Sequence, residues 1–184
     1  RLEREYPAYY DLKYRFDTVR TAEIREDLLD TRTALVEYFL GRDEIFIFTI
    51  TTESVEVSQV ASDTSFEADL HELRRAIAGR DSASHDPARR LYDLLLAPVA
   101  SRLAGKDLVL VPDGGLSIVP FEALLEGEAG PNATSTTELP YVLRDHAVSY
   151  AYSATLLLQG LRQKRESPPD ELIAFAPVFA EGTA

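Results

Sequence analysis

The strongest candidates for catalysis in this sequence are one serine and one histidine. Ser117 lies in Gly115-Leu116-Ser117-Ile118-Val119, which lacks the last glycine of the G-x-S-x-G nucleophile elbow. His146 precedes the apolar segment Ala147–Ala151 and is the best placed of the three histidines to act as a base. A serine hydrolase using both residues is a minor alternative that the sequence does not favour, because an acid followed by a histidine is only loosely available after Ser117. We favour a structural role for His146, as a hydrogen-bonded residue at a strand end.

Two adjacent glycines near Ser117 raise the question of a phosphate-binding loop. Residues 108–125 read LVLVPDGGLSIVPFEALL. Gly114 and Gly115 fit neither the G-x-G-x-x-G spacing of dinucleotide-binding motifs nor the lysine-containing P-loop pattern. Pro-Asp-Gly-Gly is by itself a favourable turn sequence. We therefore predict a strand over Asp107–Val111 followed by a turn, and no phosphate site.

The composition excludes several other kinds of site. The 184-residue chain has no cysteine, so it forms no disulfide, no cysteine-based zinc site and no thiol nucleophile. None of the histidines has a second histidine at ligand spacing, so we expect neither a metal nor a cofactor. Acidic pairs such as Glu37 with Glu44 or Glu53 have no fixed separation and do not support general acid–base catalysis.

The charge and hydropathy of the chain exclude two classes of partner. A net charge of −12 argues against nucleic-acid binding, which depends on neutralising phosphates with Lys and Arg. No apolar run approaches the roughly 18 to 20 residues that span a membrane, and no secretory leader is visible. We therefore expect a cytoplasmic protein without nucleic-acid or membrane partners. Because the first residue is Arg1, we interpret the chain as a piece of a longer protein.

The apolar pattern predicts an α/β fold behind these residues. Residues 1–30 are predicted as a helical lead-in or linker, and residues 31–184 as the α/β domain itself. Within that domain we predict an antiparallel meander over 34–60, helices over 65–105, and core strands and helices over 107–184. Apolar strands that alternate with helices indicate a mostly parallel sheet with helices on both faces.

Local signals define some of the helices. Thr64-Ser65-Phe66-Glu67 has the form of a capping box. Phe66, Leu70, Leu73 and Ile77 then repeat as one buried stripe. Pro98 predicts a kink or restart in a helix that runs to Gly105. Ser153 is predicted to cap a further helix, and Leu172–Ala176 to form a short apolar strand.

The order of several segments resembles the CHAT domain, a caspase- and separase-related cysteine peptidase domain often attached to TPR repeats. The resembling segments are residues 34–51, 88–125, 141–158 and 172–179, and the resemblance covers about residues 1–180. The residues that fit the family pattern are Pro112-Asp113-Gly114, Leu116, Pro120-Phe121, Ala123-Leu124 and Ser153.

This resemblance implies that the chain is the N-terminal part of a caspase-like domain, with an incomplete sheet. In the family, the catalytic His and Cys lie in the half that follows, in patterns like His-x-Ala-x-His-Gly and Ser-Ala-Cys. Neither pattern occurs in this sequence. No catalytic residue is therefore carried over, and we expect this chain to be inactive alone.

The resemblance also implies where this chain borders the substrate. The loop after the first core strand borders the cleft in caspase-like folds, which places Asp113, Gly114 and Ser117 at the cleft rim. Asp113 could contact substrate or neighbouring backbone, or cap its own turn, and we favour the cap.

Two functions follow from the resemblance. The first is a non-catalytic part of a cysteine endopeptidase domain that supplies core strands and one wall of the cleft. The alternative is a regulatory or protein-interaction scaffold of a TPR-linked pseudo-peptidase. The expected partners are the missing C-terminal half of the domain or another protein chain, a peptide substrate in the parent protein, and TPR repeats before this chain.

Overall fold

A computed structural model describes residues 2–6, 18–62, 65–79, 85–127 and 139–162. Five strands form one sheet in the order β3-β2-β1-β4-β5. The strands are β1 (Thr33–Leu40), β2 (Glu44–Ile50), β3 (Val55–Ala61), β4 (Asp107–Val111) and β5 (Val148–Tyr150). The predicted meander is confirmed, because β1 pairs with β2, and β2 with β3, in antiparallel register.

The sheet is mixed, which corrects the prediction of a mostly parallel one. Strand β1 pairs in parallel with β4, and β4 with β5. In the described residues the parallel pairings therefore equal the antiparallel ones in number. The physical reason is that the meander does not form a separate layer: its first strand, β1, is also the central strand of the sheet.

Helices cover both faces of this sheet. They are α1 (Leu2–Glu5), α2 (Thr21–Asp27), α3 (Ser65–Gly79), α4 (His85–Leu95), α5 (Ala100–Leu103), α6 (Val142–Asp145) and α7 (Ala154–Arg162). Short 3-10 helices span Ala97–Val99, Gly114–Ile118 and Phe121–Ala123. In the described part of the chain, no helix is long and apolar enough to cross a membrane.

Side chains alternate along β1, so this strand contributes to two apolar clusters, one on each face of the sheet. Ala34, Val36 and Tyr38 are buried on the face that packs against α3 and α4. Leu35 is buried on the other face, in a cluster that contains Ile24 of α2 and Ala154 of α7. The Tyr38 hydroxyl donates to the Leu95 carbonyl at 3.1 Å, and burial raises the pKa of this hydroxyl well above its ordinary value.

Helix α3 packs through a stripe that differs slightly from the predicted one. Phe66, Leu70 and Leu73 are buried as expected, whereas Ile77 is 44% exposed. Ala76 and Asp69 are buried in its place. The buried side is turned toward α4, where Arg90 donates two hydrogen bonds to the Asp69 carboxylate, at 2.9 and 2.6 Å.

The helix boundaries follow the local signals. After α4 the chain passes through the 3-10 helix that contains Pro98 and restarts as α5, as predicted. Ser153 caps α7, because its hydroxyl accepts the Leu156 N–H at 3.0 Å. The predicted capping residue Thr64 and the predicted strand Leu172–Ala176 lie outside the described residues.

Candidate functional site

The turn after β4 is attached to the end of β1 by Asp113. The Leu40 backbone N–H donates to Oδ2 of Asp113 at 3.0 Å. Asp113 precedes the 3-10 helix Gly114–Ile118 but makes no side-chain capping bond to it, so the expectation that it caps its own turn is wrong. The reason is that β1 continues past Glu37↔Val111, its last paired position with β4, which leaves the Leu40 N–H free for the carboxylate.

Gly114 allows the turn to lie close to β1. Its φ of +50° lies in the left-handed region, which glycine enters without steric cost. A Cβ at this position would lie 3.6 Å from Cδ2 of Leu40. The turn therefore lies against the Leu40 side chain as well as its backbone.

The segment after the turn is held in place by apolar side chains. Leu116, Val119 and Phe121 are at most 3% exposed. The Phe121 ring lies 5.4 Å from that of Tyr38 and 6.3 Å from that of Tyr150, centroid to centroid. The Tyr150 hydroxyl also accepts the Phe121 N–H at 3.2 Å and donates to the carboxylate of Glu122. These contacts fix the loop between β4 and β5.

A cleft of about 640 Å³ opens at this edge of the sheet. Leu40 and Gly41 line it from the end of β1, and Gly115 and Ile118 line it from the turn after β4. The other lining residues come from the β1–β2 and β3–α3 connections and from α3: Arg42, Asp43, Ser62, Phe66, Glu67, Leu70, His71 and Arg74. The cleft thus lies at the carboxyl ends of parallel strands, where open α/β sheets bind ligands.

The predicted rim residues lie beside this cleft. Asp113 and Gly114 adjoin Leu40, which lines it. Ser117 lies in the chain between Gly115 and Ile118, two further lining residues. None of the three predicted residues is itself part of the lining. A contact between them and a substrate stays a prediction.

Sequence reasoning missed the polar rim of the cleft. Arg42 comes from the β1–β2 turn, whereas His71 and Arg74 come from α3. The available signal was the position of the Gly41-Arg42-Asp43 turn, which follows β1 at the edge where the β4 turn also lies. The α3 residues carry no such signal, because only the packing of the helix brings them to this edge.

Ser117 and His146 lie at opposite ends of β4. Ser117 follows the carboxyl end of the strand, and its hydroxyl donates to the Pro112 carbonyl at 3.5 Å. The Nδ1 of His146 donates at 2.6 Å to the carbonyl of Lys106, the residue before β4. Because a five-residue strand spans about 16 Å, the two side chains cannot form a catalytic pair. His146 therefore has the structural role predicted for it, and the serine hydrolase hypothesis is wrong.

The charged side chains that line the cleft are unpaired within the described residues, whereas ion pairs occur elsewhere in the protein. Arg42 and Arg74 are exposed and form no ion pair or side-chain hydrogen bond within the described residues. Asp43 and Glu67 line the same cleft and also have no such partner there. The described part of the chain contains no group of three His, Cys, Asp or Glu side chains arranged to hold a metal ion.

Comparison with known proteins places these elements in a family. The family model described as the CHAT domain matches residues 85–182, slightly more than half of the chain. The matched region includes α4, β4, the Pro112–Phe121 loop and β5, whereas the meander precedes it. No curated protein matches the chain.

Proposed function

This chain belongs to the CHAT domain family, as the sequence predicted, and from this premise we propose that it is the non-catalytic N-terminal part of a caspase-like cysteine endopeptidase domain. Its role is to supply core strands and one wall of a peptide-binding cleft. The chain has no cysteine, so the nucleophile of such a domain comes from outside these 184 residues. We place the parent protein in the cytoplasm, with TPR repeats preceding this chain.

The observation that carries this proposal is the cleft at the carboxyl ends of β1 and β4. Its apolar floor and its polar rim come from four separate parts of the chain. Such convergence at one end of parallel strands is typical of ligand sites in α/β proteins. The Asp113–Leu40 hydrogen bond supports a fixed wall, because it ties the β4 turn to the end of β1.

The β5 edge supports the further proposal that the sheet continues into a partner. In the described residues β5 pairs with β4 alone. Exposed apolar side chains lie close to it in the sequence: Tyr150 is 47%, Tyr152 97% and Leu156 49% exposed. Open edges flanked by apolar surface favour pairing with another strand. We propose that the sheet extends beyond β5 and that a strand of the C-terminal half of the domain, or of another chain, completes it.

A peptidase assay tests whether the catalytic residues lie outside this chain. This chain alone and the parent polypeptide extended beyond Ala184 are assayed against a mixture of fluorogenic peptides. We expect no turnover by this chain and turnover by the extended one. Replacing Ile118, a half-exposed residue of the cleft wall, by Asp should lower kcat/KM of the extended chain by about tenfold or more. Replacing Leu143, which is 63% exposed and does not line the cleft, by Asp should change little.

Three results would contradict the proposal. Turnover by this chain alone would place a catalytic group within it. Unchanged activity of the Ile118→Asp variant would show that the substrate does not bind in this cleft. A folded extended chain without turnover would favour the alternative, a regulatory scaffold of a pseudo-peptidase.

A further inference from the structure

Two arginines lie on different walls of the cleft without an ion-pair partner among the described residues. Arg42 is in the β1–β2 turn and Arg74 is in the third turn of α3. Both side chains are exposed, and neither forms an ion pair with any residue that the structure describes. Guanidinium groups bind carboxylates through paired, directional hydrogen bonds. The two arginines are therefore available to a carboxylate that enters the cleft.

The acidic residues of the cleft form no ion pair with these arginines among the described residues. Asp43 and Glu67 line the same cleft, yet no nitrogen of Arg42 or Arg74 lies within ion-pair distance of them in the described residues. The whole chain carries a net charge of −12, so the average surface repels a carboxylate. Binding of such a group to this protein depends on local guanidinium groups.

The floor of the cleft is apolar. Leu40, Phe66 and Leu70 line it beside Ile118, which is 51% exposed. Partly exposed apolar side chains in a cleft are a favourable surface for an apolar side chain of a ligand. The volume of about 640 Å³ falls within the range of about 300 to 1,000 Å³ typical of ligand pockets. This space is large enough for a short peptide segment rather than a single side chain.

We propose that the cleft binds a peptide segment that presents an acidic side chain to Arg74 and Arg42 and a neighbouring apolar side chain to the Ile118 floor. This inference rests on the proposed function, because it names the class of peptide that the cleft wall recognises. It assigns specificity to residues of the β1–β2 turn and α3, both of which precede the region matched by the family model.

Peptide titration of the 184-residue chain tests the inference. The probes are fluorescein-labelled Gly-Gly-Leu-Glu-Gly-Gly and the same peptide with Gln or Lys in place of Glu. Fluorescence anisotropy gives the affinities, and ¹⁵N–¹H chemical shifts of Gly115 and Ile118 locate the bound peptide. We expect the Glu peptide to bind about tenfold more tightly than the Gln peptide, and the Lys peptide to bind most weakly.

Two neighbouring arginines of α3 provide the matched comparison. Arg74→Gln should reduce the preference for Glu over Gln to less than about threefold. Arg75→Gln should retain it, because Arg75 is also exposed but does not line the cleft. Both positions are on the surface, and circular dichroism verifies that each variant is folded.

The outcomes separate this inference from the proposed function. Shifts at Gly115 and Ile118 with equal affinity for the Glu and Gln peptides would overturn the carboxylate subsite and leave the peptide cleft intact. Equal losses in Arg74→Gln and Arg75→Gln would also overturn the subsite. No shift at the cleft with any of the three peptides would overturn both the subsite and the cleft wall.

Discussion

Asp113 and Leu40 are 73 residues apart in the sequence, and a 3.0 Å hydrogen bond joins the Leu40 N–H to the Asp113 carboxylate. Replacing Asp113 by Ala should lower the free energy of unfolding by about 1 to 2 kcal/mol, because it leaves a half-buried N–H without an acceptor. Asp113→Asn retains an acceptor oxygen and should lose less. Urea denaturation followed by circular dichroism measures both changes.

The control for Asp113 is Asp145. It is exposed and has no ion pair or side-chain hydrogen bond with the residues described, so Asp145→Ala should change stability by less than about 0.5 kcal/mol. If Asp113→Ala were as stable as Asp145→Ala, the hydrogen bond to Leu40 would contribute nothing to the fold.

Gly114 and Gly115 should respond in opposite ways to the same substitution. Gly114→Ala should destabilise by about 1 kcal/mol, because an alanine at a φ of +50° is strained. Gly115 has no positive φ, and nothing lies within 4 Å of a Cβ built there. Gly115→Ala should therefore be neutral or slightly stabilising, through a smaller entropy of the unfolded chain. Thermal unfolding of both variants checks the sign, and equal shifts would contradict the assigned turn geometry.

Phe121 is the central anchor of the β4–β5 loop. Its side chain is fully buried between Tyr38 and Tyr150. Phe121→Ala should lower the free energy of unfolding by about 3 to 5 kcal/mol, whereas Phe121→Leu retains most of the buried volume and should cost under about 1.5 kcal/mol. Urea denaturation measures the difference. A loss below about 1 kcal/mol in Phe121→Ala would show that the ring does not support the loop.

Glu37 makes stability depend on pH in an unusual direction. Burial in β1, opposite Phe48 and Val111, raises the pKa of its carboxyl above the ordinary 4.5. A raised pKa in the folded state means that protonation favours folding, so this contribution is present below pH 4.5 and is lost as the pH rises through the folded pKa. Glu37→Gln should therefore stabilise the protein at pH 7, by less than about 1 kcal/mol because the side chain keeps partial contact with water.

Glu53 provides a comparison of the opposite sign. Hydrogen bonds from Thr52 and Thr51 lower the pKa of its carboxyl. Glu53→Gln should slightly reduce stability at pH 7, and the difference from the unchanged protein should disappear as the pH falls below 4.5. Urea midpoints between about pH 3.5 and 7.5 give both curves. Parallel curves for Glu37→Gln and the unchanged protein would contradict the assignment.

Elements defined by neighbouring residues could be predicted from the sequence. Strand β4 has its predicted bounds, because the apolar run Leu108–Val111 lies between Gly105, at a φ of +70°, and the Pro112 turn. The meander follows from short links between alternating strands. The cap of α7 by Ser153 could be predicted because an N-cap hydrogen bond involves only the next few residues of the chain.

Relationships between distant residues could not be predicted in this way. Local chemistry favours Asp113 as a cap of its own turn, but its actual partner depends on β1 being longer than β4. Arg42 and Arg74 line the same cleft only because α3 packs over the sheet. Local patterns predict single elements, whereas the contacts between elements depend on how the whole chain packs.

The position of β1 in the sheet has a consequence for how fast the protein folds. One edge of β1 pairs with β2 through a short turn, whereas its other edge pairs with β4, with Thr33 opposite Asp107. Closing a long loop costs more entropy than closing a hairpin, and distant contacts slow folding. The meander should therefore form early, and docking of β4 on β1 should limit the rate. The Asp113–Leu40 bond forms only after that docking, so its loss should accelerate unfolding much more than it slows folding.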